Sequence, residues 1–140
     1  MKQALRQSLA ICCIALIPAV GSLWFHLRHP GWDPNVLGEG EIFLSAIPAL
    51  NQPVLWVDAR SRSQYEREHV PQAVLLNEDE WSRQFAAVLD QWQPGRPLVV
   101  YCDSQACHAS QQVAKRLRES GLSPVYVLRG GWKAWQNQKR

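Results

Sequence analysis

The chain reads as an α/β domain, a central parallel sheet flanked by helices, preceded by one N-terminal transmembrane helix. Three observations predict this. Short apolar runs such as VLWVD, PLVVY and VYVL alternate with amphipathic stretches of helical period, the rhythm of a parallel sheet covered by helices. PLVVY is apolar throughout rather than alternating, as a strand buried on both faces must be. Near the amino terminus, no charged side chain interrupts the segment between Arg6 and Arg28, which is about the ~20 residues a helix needs to cross a bilayer.

The elements follow in order. Val54 to Asp58 forms a buried strand, with a short polar helix over Ser61 to His69. Ala73 to Leu76 makes a second strand. Glu78, Asp79 and Glu80 then stand where a helix N-terminus favours negative charge, and Trp81, Phe85, Val88, Leu89 and Trp92 recur on one helical face, which predicts that this face is buried. Pro97 to Tyr101 is the strongest strand. Val113 and Leu117 mark the next helix, ended by Gly121. Val125 to Leu128 is the last strand, followed by Gly130, Gly131 and a terminal helix carrying Trp132 and Trp135.

At 140 residues and 15.9 kDa the chain holds one ordinary domain and an appendage. The expected organisation is a membrane anchor over 1–28, a linker over 29–40 rich in Pro and Gly, and the α/β domain over 41–140. Trp24 and Phe25 suit an interfacial anchor. The rival reading is a cleaved signal peptide, with Leu9 to Ile17 as its apolar region, Pro18 as breaker and Ala19, Val20 and Gly21 before the cut. Lys2, Arg6 and the terminal amine precede the span and only Arg28 immediately follows it, so the positive-inside bias places the amino terminus in the cytoplasm and the domain on the extracytoplasmic, periplasmic side.

Charge excludes a nucleic-acid partner. Lys2, Arg6 and Arg28 account for the whole net charge of +3, and the remaining 12 basic residues match the 12 acidic ones. The four cysteines fall as two pairs, Cys12 with Cys13 and Cys102 with Cys107, a placement that argues against a disulfide framework.

In a parallel sheet, ligands bind beyond the carboxyl ends of the strands. Three strands end in chemically loaded residues: Asp58 with Arg60, then Cys102, then Arg129 with the paired glycines. Cys102 lies between a buried strand and a helix start, where backbone N–H groups and the helix dipole favour a thiolate. A thiolate can accept sulfur or attack a disulfide. The bland alternative is a small hydrophobe closing its strand, with Asp103 opposing ionisation.

Several separated segments then resemble one family. VLWVDARSRSQYEREHVPQA, through Asp58, Arg60, Tyr65, Glu66, His69, Pro71 and Ala73, PLVVYC with its terminal cysteine, and VYVLRGGWKAW are together similar to a single rhodanese domain, the sulfurtransferase fold, over residues 41 to 136. The resemblance implies that Cys102 takes a sulfane sulfur as a persulfide and passes it to a thiophilic acceptor: a thiol, a cyanide-like ion or a protein thiol. It implies no metal and no organic cofactor. Asp103, Ser104, Gln105, Ala106, Cys107, His108 and Ala109 become a substrate-binding loop, and Arg60 and Arg129 candidate anion-binding side chains, against bland roles as a partner of Asp58 or Glu66 and as a solvated surface charge. The loop departs from the family in having neither glycine nor arginine, which argues against thiosulfate as donor. His108 stands where a phosphatase relative would want an arginine. Gln72 replaces a usual glycine.

Two other classes stay open. Cys102 and Cys107 could form a thiol-disulfide redox or sensing module, with Cys107 as resolving thiol, or the domain could be a catalytically silent binding module at the membrane. Cys102, Cys107 and His108 do not have standard zinc spacing.

Overall fold

The computed structural model of the protein describes residues 37–103 and 108–138. The anchor expected over 1–28 and most of the linker lie outside these residues, as do Ser104, Gln105, Ala106 and Cys107. Among the described residues no helix is long and apolar enough to cross a membrane.

The unit that begins at Glu39 is an α/β fold. Its five strands are β1 (Glu41–Ile42), β2 (Leu55–Asp58), β3 (Val74–Leu75), β4 (Leu98–Tyr101) and β5 (Val125–Leu128). All pairings are parallel, in the order β1-β5-β4-β2-β3. Four helices accompany them: α1 (Arg62–Arg67), α2 (Trp81–Gln91), α3 (His108–Glu119) and α4 (Gly131–Gln138). A 3-10 helix, Leu44–Leu50, follows β1.

The sheet has two covered faces, which is why β4 is buried at every position. On one face Leu98 and Val100 pack with Val88 of α2 and with Val113 and Leu117 of α3. On the other, Val99 and Tyr101 pack with Trp132 of α4, and Tyr65, Trp56 and Trp135 close the edges. Alternate residues of a strand point to opposite faces, so one apolar run supplies both cores.

Helix boundaries follow local chemistry. α3 ends at Gly121 as expected: its φ is +86°, and the Leu122 N–H reaches back to the Leu117 carbonyl, a Schellman closure that a residue with Cβ would strain. Gln72, at φ +63°, occupies the left-handed turn usually given to glycine, at a cost of about 1–2 kcal/mol.

Several expectations need correction. Leu89 does not belong to the buried face of α2; it is 45% exposed. Gln84 takes its place, because its side-chain oxygen accepts the Asn77 N–H at 2.8 Å and draws the amide inward. The acidic triplet precedes the first turn of α2, with Glu80 as N-cap. Arg62 and Arg83 both bond Glu80 and hold its carboxyl down to about 2. β1 and the 3-10 helix had no reading in the sequence, and several strands and helices are a residue or two shorter than expected.

Candidate active site

Since every pairing is parallel, the carboxyl ends of β2, β4 and β5 share one edge of the sheet, with β4 in the middle. Cys102 is the first residue past β4 and is 3% exposed. The double glycine after β5 turns the chain through two left-handed residues, Gly130 at φ +78° and Gly131 at +56°. A Cβ on Gly130 would also lie 3.1 Å from the Ala134 Cβ. This turn aims the start of α4 at the end of β4: the Trp132 N–H donates to the Cys102 carbonyl at 2.6 Å, and the Lys133 N–H to the Asp103 carbonyl at 3.4 Å. Cys102 itself is disulfide-bonded.

Beneath this edge lies a buried polar cluster. Arg60 donates to both Asp58 carboxylate oxygens, with Nη2 to Oδ2 at 2.7 Å, and its Nη2 also reaches the Glu68 carbonyl at 2.7 Å. The Tyr101 hydroxyl donates to Asp58 at 2.7 Å and accepts from the Val70 N–H at 3.1 Å. Arg60 lies over the Trp132 ring, 4.4 Å from its centroid, in cation–π contact. Burial works against the Arg60 charge, but hydrogen bonding and attraction from Asp58 outweigh it and hold its pKa above the usual value. Burial, helped by the Asp58 hydrogen bond, pushes Tyr101 well above the usual phenol range. Tyr101 is therefore a neutral hydrogen-bond bridge at physiological pH.

The Asp103 side chain stands half exposed above that cluster. Its carboxylate accepts from Gln64 Nε2 at 2.5 Å, and Arg60 Nη1 lies 3.8 Å away. Gln64 can do this because it is the third residue of a capping box: its Oε1 accepts the Ser61 N–H at 3.2 Å, which turns its amide nitrogen toward Asp103. Gln64, Asp103, Arg60, Arg67, Glu68, Trp132 and Gln136 line a cleft of about 250 Å³.

Asp58, Arg60, Cys102 and Asp103 thus gather at one edge, whereas Arg129 is drawn to Glu41 at 2.6 Å, with only 9% of its side chain exposed, and does not line the cleft. Arg60 is paired with Asp58, not with Glu66. His108 opens α3 on the exposed surface, and Ala109 packs against the core. His69 stacks on Tyr65 with ring centroids 4.0 Å apart. The described residues hold no cluster of three or more His, Cys, Asp or Glu suited to a metal ion. Gln64, Tyr101 and Trp132 were not singled out from the sequence as site residues; for Gln64 a signal existed, the Ser61-x-x-Gln64 capping box.

This fold and this arrangement at the end of the middle strand define a class, and comparison with known proteins gives it a family. The rhodanese-like domain family matches residues 45–138, and the chain belongs to it. Among curated relatives, a thiosulfate sulfurtransferase, GlpE, of Coxiella burnetii is 31% identical over 83 residues, covering 59% of this chain and 72% of its own length. A protein of the same description from Shewanella oneidensis is 35% identical over 79 residues, covering 56% and 72%. Solved structures share the fold: the BH2092 protein from Bacillus halodurans at TM-score 0.56 and 20% identity, over 71% of this chain and 72% of that one, and a rhodanese-like domain protein from Staphylococcus aureus at TM-score 0.53 and 20% identity, over 68% and 89%.

Proposed function

We propose that the chain is a rhodanese-type sulfurtransferase. Cys102, as a thiolate, attacks a sulfane sulfur donor; the donor's sulfur bond breaks, and Cys102 carries the sulfur as a persulfide. A thiol or cyanide then takes that outer sulfur and returns the electron pair to Cys102. The observation that carries this reading is the placement of Cys102 just past the central strand, with its carbonyl fixed by the start of α4, in a chain whose relatives are described as thiosulfate sulfurtransferases. No residue in the scheme requires a metal or an organic cofactor. The test is mass spectrometry of the reduced chain after exposure to a sulfur donor: a gain of about 32 Da, one sulfur atom, on the peptide containing Cys102 is expected. A loaded protein whose added sulfur maps elsewhere would count against Cys102.

One observation favours a second, redox reading: the disulfide at Cys102. Sequence distance makes Cys107, five residues on, the natural resolving thiol. A disulfide ties up the sulfur-accepting thiolate while shielding it from irreversible oxidation. Cys107→Ser should then speed peroxide inactivation while changing sulfur transfer little. If peroxide-treated wild type keeps free thiols at both 102 and 107, this reading fails.

A further inference from the structure

We propose that the open edge of β3 is a docking site for a short extended peptide of a partner protein, one that brings a carboxylate side chain. The proposal does not depend on sulfur transfer. β3 closes one end of the sheet and pairs with β2 alone, and a cleft of about 340 Å³ lies against it. Arg62 and Tyr65 of α1 wall this cleft on one side and Gln84 and Ala87 of α2 on the other, with Val74 and Leu75 between them.

Backbone alternation decides what the edge offers. The Leu76 N–H donates to the Asp58 carbonyl, so residues 74 and 76 face β2 and the N–H and C=O of Leu75 point outward. The outward groups on either side are already taken by side chains: the Tyr65 hydroxyl donates to the Ala73 carbonyl at 2.7 Å, and the Asn77 N–H donates to Gln84 Oε1 at 2.8 Å. Leu75 is left between them with one donor and one acceptor, the pair that an added strand uses.

Gln84 supplies a third group. Because the Asn77 N–H identifies its oxygen, the atom left over is the amide nitrogen, and this Nε2 is buried with no acceptor among the described residues. The residue is 6% exposed. A buried donor without a partner costs free energy until an acceptor arrives. Bonded to Asn77, the Gln84 amide stands in the lane an added strand would follow, so a carbonyl near the end of a docked segment can accept from Nε2.

Charge selects the peptide. Arg62 and Arg83 are the charged residues lining the cleft, with side chains 47% and 74% exposed, and both donate to the one carboxylate of Glu80. Arg62 has in addition a loose, exposed contact with Glu66 at 4.0 Å. Arg83 has Glu80 alone among the described residues. An acidic side chain on the docked segment completes that pairing. A second copy of this chain does not, since joining two β3 edges sets Arg62 and Arg83 of one chain against those of the other.

The test pans the full chain with random short peptides capped at both ends, then follows the strongest binder by calorimetry and amide NMR. Binders should carry Asp or Glu among β-branched residues, and should shift both the Leu75 amide and the Gln84 side-chain amide signals. Methylating the peptide nitrogens one at a time should find one whose loss as donor weakens binding about tenfold or more. Gln84→Glu keeps an acceptor for Asn77 but turns the free donor into a carboxylate oxygen, and should also weaken binding about tenfold or more. Arg62→Gln with Arg83→Gln should cost about threefold to tenfold at low ionic strength. Both arginines are exposed, so if Gln84→Glu fails to fold, they and the methylated peptides still decide. No enriched peptide, or a binder indifferent to N-methylation or to the cleft substitutions, overturns the proposal. Dimerisation of the chain that buries the Leu75 amide overturns it in favour of a second copy.

Discussion

Replacing Cys102 with serine is expected to abolish sulfur transfer to cyanide or a thiol, by about a thousandfold or more, while the domain stays folded. The chemical reason is that a serine oxygen cannot form the persulfide. The structural reason for expecting a folded variant is that the backbone of residue 102, which receives the Trp132 N–H, is unchanged. The side chain packs at the margin of the core formed by Val100, Val113 and Ala114, so the added polarity should lower stability by about 1–3 kcal/mol. Transfer and thermal unfolding measured on one preparation separate the two effects. A folded Cys102→Ser variant that transfers sulfur at a rate near wild type would remove Cys102 from the reaction. Wild-type samples must be reduced first, because the disulfide at Cys102 leaves no thiolate to load.

The sheet was legible in the sequence because two-sided burial writes itself as unbroken apolar runs, and Leu98 to Tyr101 is the clearest of them. The edge strand Glu41–Ile42 is only two residues long and pairs with β5 alone, too short to show a period. Helical periodicity was legible in Trp81 and Val88 but misled at Leu89: a hydrogen bond from the Asn77 backbone draws Gln84 inward, and that contact cannot be read from hydrophobicity. In the site, Asp58, Arg60 and Cys102 stood out because chemistry at the carboxyl ends of parallel strands is a topological expectation. Long-range pairings did not stand out. Arg129 meets Glu41 across 88 positions, and Gln64 meets Asp103 across 39. Such pairs are set by the packing of α1, α4 and the edge strand, so only the folded chain reveals them.

Arg60 is the residue for which that difference matters most, since the sequence allowed it either to grip an anion or to serve the fold. Asp58 is fully buried and the Arg60 side chain is 4% exposed, at 2.7 Å. Truncation to alanine would leave the Asp58 carboxylate buried without its cation, the Glu68 carbonyl without its donor, and the Trp132 face bare. Removing one partner of a buried pair costs about 3–5 kcal/mol. For a domain near one hundred residues, that corresponds to a fall in Tm of roughly 15 °C or more. Arg60→Lys should restore only part of it, because an ammonium can neither span both Asp58 oxygens nor lie flat on Trp132. Tyr101→Phe, which removes one of the remaining bonds to Asp58, should cost about 1–3 kcal/mol. The measurement is thermal or denaturant unfolding of the four proteins, alongside KM for an anionic donor. A structural Arg60 predicts a large loss of stability in Arg60→Ala, with a smaller loss in Arg60→Lys. Should Arg60→Ala unfold like wild type while its KM for the anion rises steeply, the side chain serves the substrate, and the buried pair with Asp58 is not what holds this edge of the sheet.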